Sequence, residues 1–133
     1  MEIPSILVAE DDPDTRELLE IVLGHANFRV SVTDDPIKVL ELLSTDGFDA
    51  VLLDNLMPNM NGIELCRRIR SVNQTIVVLF CSGAVGEGDQ KAAFNAGAQG
   101  YITKPFEPQE LASTLRRVLE FRDEELRVKI RRR

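Results

Sequence analysis

Short apolar runs alternate with segments of helical spacing along this chain. Four runs are apolar along most of their length, and each is short enough for a strand that is buried on both faces. A fifth run alternates apolar and polar residues, which predicts a strand with one exposed face. In chain order, the predicted strands are Ile6–Ala9, Phe28–Val32, Ala50–Leu53, Ile76–Phe80 and Tyr101–Thr103.

Apolar residues recur every three or four positions after each strand, which predicts five helices. Asp12 and Asp35 each precede a proline, and an aspartate N-cap followed by proline is a typical helix start. Gly24 and Gly97 are expected to end the first and fourth helices. The expected inward-facing residues are Leu18, Ile21 and Val22 in the first helix, Ile37, Leu40, Leu43 or their apolar neighbours in the second, Ile63, Cys66 and Ile69 in the third, alanines within Lys91–Ala96 in the fourth, and Leu111, Leu115, Val118 and Leu119 in the last.

The repeated strand–helix order predicts an α/β fold of (βα)5 type with a parallel sheet and right-handed crossovers. Two open arrangements of such sheets are common, and they differ in strand order. In the order 2-1-3-4-5, the chain reverses direction between strands 1 and 3. Glu10 and Asp11 then lie beside Asp54 at the point of reversal, where ligands bind in sheets of this kind.

The composition is that of one ordinary globular domain. The chain has 133 residues, of which 29% are charged and 44% hydrophobic. Its apolar runs are far shorter than the roughly 20 residues of a membrane span, and the amino terminus does not resemble a secretory signal. We therefore expect a cytoplasmic protein without membrane contact. Cys66 and Cys81 are far apart and lack metal-type spacing, so two reduced thiols are expected.

Charge is spread unevenly along the chain. Residues 1–113 carry 18 acidic and 8 basic side chains, whereas residues 114–133 carry 4 acidic and 8 basic ones. The acidic body should repel nucleic acid, so direct nucleic-acid binding by this segment is not expected. The basic tail is typical of a solvated helix end, although it could also contact an acidic partner.

Polar side chains at the predicted strand ends carry the candidate chemistry. Three carboxylates, Glu10, Asp11 and Asp54, would repel one another if they converge, and a divalent cation would relieve that repulsion. Oxygen ligands alone favour Mg²⁺, or Mn²⁺, over zinc. Taken singly, the residues have simpler interpretations, since acidic triplets often mark helix starts and a single aspartate after a strand is often a turn residue.

Asp54 is the candidate nucleophile, because a carboxylate can attack phosphorus and form an acyl phosphate. Such a transfer needs charge neutralisation more than proton transfer. Lys104 follows the fifth strand and offers a mobile positive charge. Ser82 follows the fourth strand and offers a hydroxyl, and Gly83 lets the backbone approach closely and present an N–H group.

Together these segments resemble a response-regulator receiver domain, the phosphoacceptor module of two-component signalling. The resemblance covers about residues 4–120. The matching segments are Ile6-Leu7-Val8-Ala9-Glu10-Asp11-Asp12, Asp54 with Met57-Pro58 and Asn61-Gly62, Ser82-Gly83, and Tyr101-Ile102-Thr103-Lys104-Pro105-Phe106.

The resemblance implies a doubly wound, flavodoxin-like sheet in the order 2-1-3-4-5, with a receiver domain over residues 1–120. Residues 121–133 would then be a helical extension or the start of a linker. It also implies a signalling switch rather than an enzyme with turnover: Asp54 would take a phosphoryl group from a sensor histidine kinase, a phosphotransfer protein or a small phosphodonor. Phosphorylation would shift the surface formed by helix 4, strand 5 and helix 5, and this surface could also support a homodimer.

The site roles also follow from the resemblance. Asp11 and Asp54 would bind Mg²⁺ directly, Glu10 would act through water, and the backbone carbonyl of Leu56 would complete the ligands. Ser82 and Tyr101 would act as coupled switch residues. The phosphoryl oxygens would contact Lys104, Gly83 and Leu56, and the Lys104-Pro105 peptide bond is expected to be cis.

Three positions depart from the family pattern. Asn61 replaces a common aspartate before the glycine, which we expect to be harmless. Leu56 and Ala84 stand where side chains of relatives influence the access of water to the acyl phosphate. Because neither can orient an attacking water, we expect a comparatively long-lived phosphorylated form.

Other functions can be weighed against this interpretation. Aspartate-nucleophile phosphohydrolases of the haloacid-dehalogenase type also use Mg²⁺, but they usually carry a second aspartate where this chain has Leu56. A pseudo-receiver that only binds partners would not need the complete acidic, serine and lysine set.

The only histidine, His25, follows Gly24 at a helix end and is not expected to relay phosphoryl groups. The chain could be a single-domain regulator or one part of a longer protein.

Overall fold

The computed structural model describes residues 3–84 and 86–131, and it describes side chains up to residue 125. Strands and helices alternate strictly along this part of the chain, as the hydrophobic pattern predicts. The elements are β1 (Ser5–Ala9), α1 (Pro13–His25), β2 (Arg29–Thr33), α2 (Pro36–Thr45), β3 (Ala50–Leu53), α3 (Gly62–Val72), β4 (Val77–Ser82), α4 (Glu87–Asn95), β5 (Gly100–Thr103) and α5 (Pro108–Arg131).

The five strands form one parallel sheet in the order β2-β1-β3-β4-β5, which confirms the expected fold class and strand order. Ala9 pairs with Leu53, and Ser82 pairs with Thr103, so the carboxyl ends of β1, β3, β4 and β5 lie along one edge. The connection from β2 to β3 passes β1 and changes the winding direction, as the sequence predicts, so β1 and β3 lie side by side at the point of reversal. Loops after these strands therefore meet at one edge of the sheet.

Alternate residues of the central strands fill two cores, one on each face of the sheet. Leu7 and Val51 point to the face that α2, α3 and α4 cover. Val8 and Leu52 point to the opposite face, which α1 and α5 cover. The strands are apolar throughout because both of their faces are buried, which is why the sequence shows runs rather than alternation.

Side chains cap the first three helices at their starts. Asp12 accepts a hydrogen bond from the Thr15 N–H at 2.9 Å, and Asp35 accepts one from Ile37 at 2.9 Å. Both caps precede a proline at the first helical position, as predicted. Asn61 caps α3 in the same manner by accepting a hydrogen bond from the Glu64 N–H.

The inward face of helix α1 differs from the prediction. In α1, Leu19 and Leu23 are buried, whereas Leu18 and Ile21 are 47% and 50% exposed. In α2, the apolar neighbour Val39 is buried and Leu40 and Leu43 are partly buried, as predicted, whereas Ile37 is 54% exposed. The apolar stripe of each helix is wider than the strip that touches the sheet, so periodicity alone could not select the residues in contact.

Helix α5 packs as predicted and extends further than the sheet requires. Leu111, Leu115 and Leu119 are buried at one-turn spacing. The helix continues to Arg131, as the sequence beyond Phe121 suggested.

Helix α4 begins at Glu87, four residues before the predicted start, because the backbone N–H of Gly86 binds the Asp89 side chain at 3.3 Å. Within the described residues, the helices are too short or too polar to cross a membrane.

Candidate acidic site at the carboxyl edge of the sheet

The strand register brings the predicted site residues together at one edge. Asp54 continues directly from β3 and its N–H binds the Ala9 carbonyl at 3.2 Å, which holds the ends of β1 and β3 side by side. The Lys104 N–H binds the Ser82 carbonyl at 2.9 Å, which does the same for β4 and β5. Glu10 and Lys104, which are 94 positions apart in the chain, are therefore neighbours in space.

Three carboxylates form a compact cluster at this edge. Glu10, Asp11 and Asp54 each contribute one oxygen to a group in which all three atoms lie within 4.8 Å of one another. Glu10 and Asp54 are almost completely buried. Like charges at this separation are costly unless a cation or a proton compensates for them.

Lys104 lies across two of these carboxylates. Its Nζ atom is 2.5 Å from Glu10 Oε1 and 2.9 Å from Asp54 Oδ2. Burial disfavours the ammonium, yet the hydrogen bonds to Glu10 and Asp54 outweigh burial and raise the pKa of Lys104. The lysine therefore stays charged and offers its cation at the Asp54 carboxylate.

The two buried carboxylates have opposite pKa shifts. Burial and the neighbouring Asp54 raise the pKa of Glu10 to about 7, although Lys104 opposes this change. Burial also disfavours ionised Asp54, but the neighbouring Glu10 carboxyl, the Leu56 N–H and Lys104 outweigh burial and lower its pKa. Of the two, Glu10 is therefore the carboxyl that takes up a proton first as the pH falls, and Asp54 remains an anion, the state that a nucleophile needs.

The donor set suits a hard divalent cation. All three side chains offer carboxylate oxygens, which Mg²⁺ and Mn²⁺ prefer. Glu10 Oε2 is buried, and it is the single buried side-chain oxygen or nitrogen without a hydrogen-bond partner among the described residues. A water in the coordination shell of a cation would satisfy this atom. The residues present therefore fit a magnesium site.

Backbone atoms orient the Asp54 carboxylate. Oδ1 accepts a hydrogen bond from the Leu56 N–H at 3.0 Å, while Oδ2 faces Lys104. This contact of Leu56 was not anticipated from the sequence, because nothing in the residue type indicates which backbone N–H turns toward a neighbouring side chain. The Leu56 side chain is 64% exposed and leaves the approach to Asp54 without a polar neighbour at this position.

Gly62 closes the base of the site. A Cβ atom at this position would lie 2.6 Å from the Asp54 carbonyl oxygen and 2.8 Å from the Phe80 ring. The start of α3 therefore packs directly against the end of β3, and only glycine leaves room for that approach. The Asn61-Gly62 motif is visible in the sequence, but its steric role follows only from the packing.

Ser82 and Tyr101 meet through the loop that follows β4. Ser82 is fully buried, and its Oγ atom accepts a hydrogen bond from the Ala84 N–H at 3.2 Å. The Tyr101 hydroxyl donates to the Ala84 carbonyl at 2.5 Å. The Tyr101 ring is half-buried and stacks on Phe80, with centroids 5.6 Å apart and planes at 4°. The tyrosine thus lies inward, and burial raises its pKa.

Other predicted features have mixed outcomes in the structure. The Lys104-Pro105 peptide bond is cis, as expected. Gly83 is exposed and has open space around its Cα, which suits close approach of a ligand.

His25 is exposed in the last turn of α1, away from the carboxyl edge. Burial raises the pKa of the Cys81 thiol to about 12, which disfavours the reactive thiolate at this position beside the site.

Comparisons with known proteins agree with this geometry. The family model for the response regulator receiver domain matches residues 6–116. The response regulator ArlR of Staphylococcus saprophyticus is 36% identical over 114 residues, covering 86% of this chain and 51% of that protein. The response regulator MprA of Mycobacterium ulcerans is 34% identical, covering 86% and 49%. The chain thus spans about half the length of these relatives.

Solved structures share the fold closely. A putative response regulator from Chloroflexus aurantiacus superimposes with a TM-score of 0.86 and 31% identity, over 90% of this chain and 99% of that one. The receiver domain of the sensor histidine kinase PA1611 from Pseudomonas aeruginosa gives a TM-score of 0.82 and 26% identity, again over 90% and 99%. That structure contains a magnesium ion coordinated in its active site cleft.

Proposed function

The chain belongs to the response regulator receiver domain family, and we propose that Asp54 is its phosphoacceptor. The observation that carries this proposal is the position of Lys104, whose Nζ atom lies 2.9 Å from Asp54 Oδ2. A nearly buried carboxylate that remains anionic beside a fixed cation is suited to attack phosphorus. The nearby carboxylates of Glu10 and Asp11 complete the acidic site.

In the proposed transfer, an Asp54 oxygen forms a bond to phosphorus. The bond between phosphorus and the nitrogen or oxygen of the donor breaks, and the donor leaves with that electron pair. A sensor histidine kinase, a phosphotransfer protein or a small phosphodonor would supply the group. Asp54 needs no general base because its pKa is already lowered.

A divalent cation, Mg²⁺ or Mn²⁺, would neutralise negative charge on the phosphoryl oxygens when bound. Asp11 and Asp54 would hold it directly, Glu10 would hold it through water, and the Leu56 carbonyl would complete the protein ligands. Cation binding favours ionised Glu10, because a carboxylate accepts a hydrogen bond from a coordinated water and adds negative charge to the site. The raised pKa of Glu10 therefore makes cation affinity increase with pH near neutrality.

Lys104, Ser82 and Gly83 would then bind the transferred group. Lys104 already faces Asp54 Oδ2 and needs only to turn from carboxylate oxygen to phosphoryl oxygen. The Ser82 hydroxyl would leave the Ala84 N–H and donate to another phosphoryl oxygen. The exposed backbone at Gly83 would donate its N–H group.

The switch would pass from this loop to the surface of α4, β5 and α5. Ser82 moves when it binds the phosphoryl group, and Ala84 also holds the Tyr101 hydroxyl. Tyr101 belongs to β5, so a change at Ala84 alters the surface on which α4 and β5 lie together. That face would contact an output domain, a partner or a second copy in the cytoplasm.

A hydrolase of the haloacid-dehalogenase type is the competing function. Such an enzyme needs a general acid two residues after the nucleophile, where this chain has the apolar and exposed Leu56. We therefore propose that the domain catalyses only its own phosphorylation and dephosphorylation.

Labelling with a radiolabelled small phosphodonor tests the proposal. One stoichiometric, Mg²⁺-dependent label is expected, and Asp54→Asn should abolish it. Asp34→Asn is the control and should label normally, because Asp34 lies outside the acidic cluster. Asp49→Asn would be less suitable, since the Asp49 carboxylate accepts a hydrogen bond from the Ser5 N–H. Continuous phosphate release from small phosphate esters, or full labelling of the Asp54→Asn variant, would contradict the proposal.

A further inference from the structure

The distal part of α5 carries a large apolar side chain on its surface. Phe121 is 61% exposed, although the preceding turns of the same helix bury Leu115 and Leu119 against the sheet. None of the described residues from 120 to 125 is buried. Single exposed apolar residues are common on proteins, so the surroundings of Phe121 decide whether it has a role.

Phe121 borders a groove of about 520 Å³ at the amino edge of the sheet, opposite Asp54. Arg117 and Val118 of α5 form one wall, and Thr75 and Gln99 from the segments before β4 and β5 form the other. An aromatic side chain next to an open groove is a self-complementary arrangement, because two copies can exchange these features about a two-fold axis.

Hydrogen bonds hold both walls of the groove in place. Arg122 Nη1 binds the Asp49 carbonyl at 3.0 Å and ties α5 to the start of β3. On the other wall, Arg70 Nη2 binds Gln99 Oε1 at 2.7 Å. The Thr75 N–H binds Asn73 Oδ1 at 3.0 Å. A preformed groove loses little conformational freedom when it is filled, which favours association.

The charges along this face of α5 indicate the orientation of the partner. Arg117 lies one turn before Phe121, and Glu125 lies one turn after it, and both side chains are exposed. In an antiparallel helix pair centred on Phe121, each Arg117 would face the Glu125 of the other copy. A parallel pair would instead place like charges opposite one another.

We propose that α5 pairs antiparallel with α5 of a second copy of this chain, with each Phe121 filling the groove of the other. The contact uses α5 and the amino edge of the sheet without α4, and it does not require phosphorylation of Asp54. One helix face and one groove bury less than a standard stable interface. The dimer therefore forms in a concentration-dependent equilibrium with the monomer.

Sedimentation velocity of the full chain over a concentration series tests this proposal. The unmodified protein should shift from monomer toward dimer as its concentration rises. Phe121→Ala should raise the dissociation constant about tenfold or more, since aromatic anchors dominate small interfaces. Phe94→Ala is the matched control, because Phe94 is an exposed phenylalanine on α4 and lies outside the groove.

A charge swap tests the antiparallel orientation. Arg117→Glu and Glu125→Arg should each weaken the dimer, because both place like charges opposite one another, and the double variant should restore it. A chain that remains monomeric at the highest soluble concentration would overturn the proposal. So would a dimer that is weakened by Phe94→Ala but not by Phe121→Ala. Phosphoryl labelling of the same variants should be unchanged, which separates this test from that of Asp54.

Discussion

Ser82 and Tyr101 bind the two backbone polar groups of one residue, since the Ser82 hydroxyl accepts from the Ala84 N–H and the Tyr101 hydroxyl donates to the Ala84 carbonyl. The first residue ends β4 at the acidic site, and the second lies in β5 toward the surface. Neither can change partner without affecting the position of Ala84. This shared contact provides a physical link between events at Asp54 and the surface at α4 and β5.

Tyr101→Phe should weaken this link while retaining the stacking on Phe80. The variant loses one hydrogen bond, which is expected to lower the free energy of unfolding by about 1 kcal/mol. Amide hydrogen exchange should become faster around Ala84, and labelling of Asp54 should change little. Unchanged exchange at Ala84 would show that the hydroxyl does not hold the loop. Tyr101→Leu, which also removes the stacked ring, should cost more stability.

Lys104→Met should slow phosphorylation of Asp54. The substitution keeps much of the aliphatic volume but removes the charge that lies 2.9 Å from Asp54 Oδ2. Loss of one such charged donor should reduce the rate of labelling by about a hundredfold. Lys91→Met, at an exposed lysine of α4, is the control and should label at the normal rate. Equal rates for both variants would remove Lys104 from the proposed mechanism.

Stability without divalent cations should fall as the pH rises toward neutrality. The pKa of Glu10 is about 7 in the folded protein against 4.5 for an unperturbed glutamate, so folding favours the protonated form. Its contribution is complete below pH 4.5 and is lost as the pH rises through 7. The change should be on the order of 2 kcal/mol, measured by urea unfolding with a chelator present.

Glu10→Gln separates this effect from other titrations. Glutamine resembles the protonated carboxyl and cannot ionise, so the variant should lose the decline between about pH 5 and 7.5. The depressed pKa of Asp54 acts in the opposite direction, because its stabilisation is lost only as the solution becomes acidic. A variant with the same pH profile as the unmodified protein would rule out Glu10 as the titrating group.

Gly62→Ala should destabilise the fold. The added Cβ would lie 2.6 Å from the Asp54 carbonyl oxygen and 2.9 Å from Asn55 Cα, and backbone atoms cannot move aside cheaply. A cost of about 1–3 kcal/mol is expected in urea unfolding. Gly24→Ala is the matched control within helix α1, where nothing lies within 4 Å, and it should stabilise the protein slightly. Equal effects of the two substitutions would contradict the proposed close packing.

Leu56→Asn should shorten the lifetime of the phosphorylated form. The Leu56 side chain is exposed beside Asp54, and an amide at this position could orient an attacking water. We expect the radiolabel to decay about tenfold faster in the variant. Leu18→Asn is the control, because Leu18 is also about half exposed but lies on α1. Unchanged decay in Leu56→Asn would show that this position does not limit hydrolysis.

The sequence was sufficient for the order of the elements and for the edge at which the site lies. Buried parallel strands must be apolar throughout, so strands such as Val51–Leu53 are recognisable from single-residue chemistry. Polar residues that follow such strands, Asp54 and Lys104 among them, then share one edge because parallel strands all end on the same side. These inferences need only local patterns and the direction of the chain.

Other features depended on packing that sequence patterns do not specify. The inward residues of α1 are Leu19 and Leu23 rather than Leu18 and Ile21, because the rotation of a helix about its axis is decided by the surface it meets. The steric need for Gly62 likewise arises from a contact between α3 and β3.

The electrostatic state of the site was also decided by the tertiary structure. Glu10 and Asp54 are both carboxylates, yet the pKa of Glu10 is raised to about 7 and that of Asp54 is lowered. The sequence determined which ionisable groups would meet at the edge of the sheet. Only the folded arrangement determined which of them holds the proton, because burial and hydrogen bonds depend on atomic positions within a few ångströms, whereas a strand pattern specifies only the order and direction of the chain.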